Sequence, residues 1–530
     1  MCCILQNPLH NRRRGARSTH RIHVTPAAPA LDISSVDTRP DLLAAFLSDA
    51  AHVSGGRAAG VAFPNTAAET SALLRSVERV LPIGAQSSLT GGATPRGELL
   101  LGTRRLTGVT RLSPTAVRAG AGVPLADLQR ELRAHRLYYP PVPTFDGAFV
   151  GGTVATNAAG AATFKYGSTR NWVEAITVVL ADGATLTLNR GETTASPDGL
   201  FELIYPAGTV VQVPVPTYRM PDVPKLSAGY FARPGMDLID LFIGSEGTLG
   251  VVVDATLRVI PLPRRVFVLT ICASEAQALL LTAALRQEAA LSWRGEGPLD
   301  VAAIEYIDDR SLARLPADAF ARAGLARPDP PAVVLLAQVE VSDDEAAAVE
   351  RFGQLLASYA VTGDPIVVMP EDDRAAARLL ELREAVPAAV NASIAAAKVH
   401  THREIEKTAG DLIVPFDRLS ESLRLYRETF DRRGLDYAIW GHLSDGNVHP
   451  NVVPHTLDDM HRGRRALLEI ARRVIEMGGA PLAEHGVGRS ALKQQLLREL
   501  YGEGGIDQMR AVKRALDPTW KLAPGVIFPR

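Results

Sequence analysis

The segment FVGGTVATNAAGAATFKYG (149–167) has too few large side chains to be a core strand. Small residues at this density let a backbone approach a flat ligand closely, which restricts the possible folds more than any other stretch of the chain. Two further strings repeat the theme, PIGAQSSLTGGATP (82–95) before it and LFIGSEGTLGVV (241–252) after it. Successive N–H groups of the earlier string can form a concave anion cradle, with Ser87, Ser88 and Thr90 adding hydroxyl donors. One such loop alone is ordinarily plain surface; the repetition indicates a ligand cradle. Neither common phosphate motif accounts for it. The loop lacks the Gly-Lys-Ser/Thr ending of a nucleotide P-loop, and no strand–GxGxxG–helix unit occurs. The GAG at 120–122 leads into Val123 and Pro124 and reads as a turn into a helix.

Around these strings, short apolar runs alternate with helical stretches, beginning with VAFP (61–64) and a helix near Ala67 to Val80. VEAITVVL (173–180), TLTL (185–188) after an Asp-Gly turn, and LGVVVDATLRVI (249–260) read as strands of a mixed sheet. After PLPRR (261–265) the texture becomes Ala-rich and helical, as at 273–290 and 343–360, with strand candidates AVVLLAQVEV (332–341) and YAIWGHL (437–443). The expected organisation is an N-terminal tail over 1–49, a ligand-binding domain over 50–262, an α+β domain over 263–480, and a segment over 481–530 with a helix near Ile506 to Leu516.

A chain of 530 residues exceeds one ordinary hydrophobic core, so two or more domains are expected. The 57 basic and 58 acidic residues nearly cancel, leaving no global field to hold nucleic acid or an anionic membrane. Three cysteines, Cys2, Cys3 and Cys272, cannot form a disulfide framework, a thiolate zinc site or an iron–sulfur run, and the chain reads as cytoplasmic. No window approaches the roughly 18 apolar residues needed to span a bilayer, so a place at the inner membrane would come through a partner. The arginine-rich first 31 residues superficially suit a presequence, but without a clear amphipathic period they read as a disordered tail or an early start codon.

The most chemical string is GHLSDGNVHPN (441–451). With Asp445-Gly446 as the central pair of a type I′ hairpin turn, counting outwards sets His442 opposite His449, with Cβ atoms on the order of 5 Å apart. Two imidazoles so placed can share one ion, with zinc first and iron or manganese as alternatives. AEHGVG (483–488) offers a carboxylate at Glu484, and two histidines plus one carboxylate form a common catalytic shell with open positions. His485 beside it could stay free as a general base.

The ordered succession PIGAQSSLTGG, GGTVATNAAGAATFKYG, VVLADG and GSEGTLG resembles the FAD-binding domain of the vanillyl-alcohol oxidase and p-cresol methylhydroxylase type, over about 50–262. The resemblance implies an α+β fold: a two-subdomain FAD-binding domain plus an α+β substrate or cap domain. It assigns the pyrophosphate to the loop Ile83, Gly84, Ala85, Gln86, Ser87, Ser88, Leu89, Thr90 and Gly91. It gives the ribityl chain, adenine and isoalloxazine to Thr144, Gly151, Gly152, Thr153, Thr156, Asn157, Glu246, Gly250 and Val252.

The C-terminal half, with GHLSDGNVHPN, AEHGVG and MRAVKRALDPTWKLAPGVIFP (509–529), resembles the D-lactate dehydrogenase, glycolate oxidase flavin-subunit and D-2-hydroxyglutarate dehydrogenase family. That resemblance implies metal ligands at His442, His449 and Glu484, a catalytic His485, and a substrate-carboxylate grip by Arg383 in LELREAV (380–386). The implied reaction is oxidation of a small D-2-hydroxyacid, D-lactate-like, with hydride passing to flavin N5 and electrons leaving to an external acceptor: a quinone, a cytochrome, or an iron–sulfur or electron-transfer protein. Several positions depart from the family pattern. Ser444 replaces a glycine, Ala523 an asparagine and Pro387 a hydroxyl residue, and the family's substrate lysine has only Lys398 and Lys407 as candidates. These departures favour a shorter or less acidic substrate than hydroxyglutarate. Rival expectations are a flavin-dependent oxidase of another alcohol, such as an aryl alcohol or an alkyl-glycerone-phosphate-like compound, and a flavin subunit of a larger electron-transfer assembly.

Overall fold

A computed structural model describes residues 19–30, 36–329, 331–342, 345–361 and 363–529; Cys2, Cys3 and the arginines at 12–17 lie outside them. The chain divides into two units. The first comprises Gly15–Gly160, Gly167–Leu262 and Leu482–Arg530, and the second Ala161–Tyr166 and Pro263–Pro481 among described residues. Helix and strand are mixed in both, an α+β architecture.

In the first unit, β1 (Gly60–Ala62), α1 (Ala67–Ser76), β2 (Val80–Ile83) and β3 (Leu99–Gly102) build a small parallel sheet in the order β1-β3-β2. Thr66 starts α1 by accepting the Glu69 amide, and the apolar side of the helix, Leu73 and Leu74, is buried with Val80 and Leu101. The final segment adds to β2: the Val80 amide donates to Lys521, and Ala523 donates back to Val80. The larger sheet is antiparallel, made of β4 (Val109–Ser113), β5 (Ala116–Gly120), β6 (Val173–Val179), β7 (Thr185–Asn189) and β8 (Val251–Arg258), in the order β4-β5-β8-β6-β7. The strands expected of one mixed sheet therefore belong to an antiparallel sheet separate from a parallel one. The reason is connectivity: β6 and β7 meet through the tight Asp182-Gly183 turn, whereas β1 and β2 are joined by a helix, as parallel neighbours require. The GAG at 120–122 does turn into a helix, Leu125–Ala134.

The second unit is built on an eight-stranded antiparallel sheet. Its strands are β9 (Arg264–Cys272), β10 (Asp300–Ile307), β11 (Val333–Val341), β12 (Ile366–Val368), β13 (Thr408–Ala409), β14 (Leu412–Ile413), β15 (Tyr437–His442) and β16 (Asn447–Val452). The order is β12-β9-β11-β10-β15-β16-β13, with β14 also on β16. The 28-residue helix α2 (Asp373–His400) buries Leu379, Leu382, Val386 and Val390 in a core shared with Leu336, Ala438 and Trp440. Pro387 sits inside it, so the carbonyl of Arg383, four residues earlier, loses its helical N–H partner. Among the described residues, no helix is long and apolar enough to cross a membrane.

Candidate active site

The first unit holds a cleft of about 290 Å³. Ile83 to Leu89 form one wall, following directly from the end of β2. Thr144, Gly151, Gly152, Thr153 and Thr156 form another, and Glu246, Gly250 and Val252 close it where β8 begins. The short helix Val150–Thr156 explains the small residues at this wall. A Cβ on Gly152 would meet no atom within 4 Å although the residue lines the cleft, so its missing side chain leaves space for a ligand.

Three of the residues assigned to the cofactor lie off the cleft wall. Thr90 is buried and hydrogen-bonds Ser88 through its hydroxyl, and its carbonyl accepts from Arg489. Gly91 occupies a left-handed turn. Asn157 ends the helix at φ 49°, and its side chain accepts the Arg170 amide. Each shapes the loops from behind. Residues that sequence reasoning passed over, Phe145, Phe149 and Val526 among them, line the cleft; an apolar residue beside a glycine gave no signal of its own.

Glu484 and His485 line the same cleft. Their turn is anchored by the fully buried Leu482, Ala483 and Val487. Glu246 fastens it from the side: its two carboxylate oxygens accept the amides of Val487 and Gly488, both at 2.8 Å. Burial pushes the Glu246 carboxyl up from its ordinary range, and the two amides draw it back only in part. Gly488 is obligatory here, because a Cβ would lie 2.1 Å from the Thr90 hydroxyl. Glu484 Oε2 accepts from Lys225 Nζ at 2.7 Å, while Oε1 lies 3.6 Å from His485 Nε2. Lys225, almost wholly buried, was invisible in the sequence, since a lysine among prolines suggests exposed loop.

The second unit carries the histidine hairpin, and its register differs from the expected one. His442 pairs with Asn447, and His449 pairs with Trp440. The connection is four residues, not two: Leu443–Asp445 form a 3₁₀ turn and Gly446 takes the left-handed position. The Asp445 carboxylate accepts the Asn447 amide at 3.0 Å, and Ser444 accepts from Ile304 across the sheet, so both stay in the loop. The slip is by two residues, an even number, which leaves both imidazoles on one face. Their rings are 5.5 Å apart and nearly perpendicular, and both side chains are buried.

Glu305 lies directly opposite His442 on β10. Its Oε1 is 2.5 Å from His442 Nδ1, and its Oε2 accepts from Arg383 Nε at 2.6 Å. Burial alone would raise this carboxyl, but the Arg383 and His442 charges outweigh it and bring it down to about 2. Arg383, expected to grip substrate, is 8 % exposed on α2, and its Nη1 also reaches Glu384 at 2.7 Å. Burial disfavours its charge, and Glu305 and Glu384 more than restore it. Asp411 Oδ1 lies 3.6 Å from His449 Nδ1. Two amide oxygens on the same face, Asn447 Oδ1 and Asn451 Oδ1, are buried without a hydrogen-bond partner. Orphaned buried acceptors beside two imidazoles and a carboxylate fit a cation or polar ligand. A lone acid in the apolar strand VAAIEYI was the signal that could have found Glu305.

Comparison with known proteins identifies both domains. Residues 58–189 match an FAD binding domain, and residues 280–527 match the family described as FAD linked oxidases, C-terminal domain. The chain carries the two domains of an FAD-linked oxidoreductase. This FAD-linked oxidoreductase is 28 % identical to the glycolate oxidase subunit GlcD of Bacillus subtilis over 460 residues, 85 % of this chain and 84 % of that one. It is 29 % identical to the D-lactate dehydrogenase of Archaeoglobus fulgidus over 485 residues, 88 % and 90 % of the two chains. With the D-2-hydroxyglutarate dehydrogenase of Xanthomonas citri it shares 28 % identity, over 88 % and 89 %. A solved alkyldihydroxyacetonephosphate synthase has the same fold, with a TM-score of 0.58 at 15 % identity over 96 % of this chain and 89 % of the solved chain.

Proposed function

We propose that the protein oxidises a small D-2-hydroxyacid to its 2-oxoacid, passing the electrons through FAD to an external acceptor. The observation that carries this reading is that Glu484 and His485 line the same cleft as the glycine loops, within one unit. Relatives named D-lactate dehydrogenase, glycolate oxidase subunit and D-2-hydroxyglutarate dehydrogenase support the substrate class.

FAD would lie against Ile83 to Leu89, Gly151 to Thr156 and Glu246 to Val252, where it supplies a two-electron acceptor. A divalent cation, zinc before iron or manganese, would be held by His442 and His449 on their hairpin face and would supply a Lewis acid for the substrate hydroxyl. His485 takes the hydroxyl proton at its ring nitrogen, which is within reach of the cleft and partly exposed. Arg383 keeps a permanent charge for the substrate carboxylate. Its Nε and Nη1 are committed to Glu305 and Glu384, so the grip falls to the remaining amino group, Nη2. Pro387, one turn along α2, brings no hydroxyl, which favours a substrate without a second carboxylate.

The test is an anaerobic screen of D- and L-2-hydroxyacids that follows loss of the oxidised flavin band, with and without chelator. A short D-2-hydroxyacid should bleach the flavin, and chelator should slow the bleaching. His485→Ala should retain FAD and lose roughly 10²–10⁴ of the reduction rate. Unchanged bleaching in that variant assigns the proton to another group, and bleaching only by alcohols lacking a carboxylate overturns the substrate class.

A further inference from the structure

We propose that Glu305 is a positioning residue that serves two binding groups at once: it fixes His442 for a cation and Arg383 for a substrate carboxylate. The inference rests on the reading of His442 as a metal ligand, and goes beyond it by naming what holds that ligand in place.

The argument starts from position. Glu305 is an acid within the apolar stretch 301–307 of its strand and is 3 % exposed, so its charge must be balanced by protein groups. The sheet register sets it opposite His442, and α2 carries Arg383 to its other oxygen. Both oxygens are thus committed, one to each partner, at 2.5 and 2.6 Å. With Oε1 receiving the proton on His442 Nδ1, the tautomer is fixed with the ring's lone pair on Nε2, the form in which imidazole binds a cation. The same carboxylate fixes the Arg383 guanidinium by its Nε edge, which turns the amino end of the fork away from Glu305. A carboxylate shared by a ligating histidine and an anion-binding arginine makes the two pockets depend on one side chain.

His449 gives an internal contrast. Its Nδ1 is 3.6 Å from Asp411 Oδ1, beyond hydrogen-bond length, so no directed bond from Asp411 to that nitrogen fixes the ring. Loss of Glu305 should therefore cost more than loss of Asp411.

The experiment uses the full-length, FAD-loaded protein and measures Zn²⁺ affinity by competition with a chromophoric chelator, alongside the melting temperature. Glu305→Gln should weaken Zn²⁺ binding by about 10–100-fold and Asp411→Asn by less, with FAD content unchanged in both. It should also weaken binding of a 2-hydroxyacid to the metal-loaded protein. Because Glu305→Gln leaves the buried Arg383 with only Glu384 as its anion, a second variant, Glu305→Gln with Arg383→Met, removes both charges. That variant should recover melting temperature while Zn²⁺ affinity stays low. Wild-type Zn²⁺ affinity in Glu305→Gln, or its recovery in the double variant, would overturn the inference, because Glu305 would then merely balance Arg383. If the unaltered protein and His442→Ala bind Zn²⁺ equally, the metal reading itself fails and takes this inference with it.

Discussion

The two units meet their functional demands by opposite means. In the first, the cleft is made of backbone and small side chains from three loops, and few of the groups facing it carry charge. In the second, the candidate cation face is made of charged and amide side chains from a helix, a loop and three strands, with the backbone tied up in a sheet. A surface that must fit a flat ligand needs missing side chains; a surface that must hold an ion needs present ones, each held by a neighbour. The contrast implies that the first unit should fail by steric addition and the second by loss of charge.

The largest effect expected from that contrast is at Gly152. Gly152→Leu adds a side chain into open space, so the fold should persist by circular dichroism while the purified protein loses its FAD altogether. Retention of FAD would show that this wall does not face the cofactor. Next is Glu340 in the second unit, which accepts from Lys165 at 2.6 Å, Tyr166 at 2.5 Å and Arg265 at 3.2 Å. Burial opposes its charge, but Lys165 and Arg265 outweigh burial and hold the carboxyl below its ordinary 4.5. A depressed folded-state value means stability that is present above pH 4.5 and lost as pH falls through the folded value. Glu340→Gln should cost about 3 kcal/mol at neutral pH, the low end for a broken buried pair because Lys165 keeps Asp300. Its melting temperature should also fall less steeply on acidification than that of the unaltered protein; parallel acid limbs would show that other carboxylates govern them. The smallest effect is Glu246→Gln. One of the two amides of Val487 and Gly488 would face an NH₂ group in place of an acceptor, a loss of roughly 1–3 kcal/mol in thermal unfolding. Flavin reduction should slow with it, since the same turn carries His485.

The cleft of the first unit was largely legible because its requirement is local: a loop that must approach a ligand shows its small residues as a continuous string. The second unit was legible only where two histidines sit in one hairpin, and there the register differs from the expected one. The Asp-Gly pair suggested a two-residue turn, whereas Asp445 caps the Asn447 amide and Gly446 alone takes the left-handed position, which lengthens the loop to four. The face assignment survived because the slip was even. Glu305 stands out as an acid among apolar residues, but its pairing with Arg383, 78 residues away, and with His442, 137 away, is silent in the sequence. Lys225 is 259 residues from Glu484 and equally silent.

By itself the sequence determined the class of cofactor domain and the presence of histidines on one hairpin face, because each depends on residue type and short spacing. The tertiary structure alone decided which carboxylate stands behind which histidine, that Arg383 shares its partner with His442, and that Glu246 serves the turn of His485. Those pairings depend on strand order and on the helix laid across the sheet, and a pattern along the chain carries no record of what a fold brings across it.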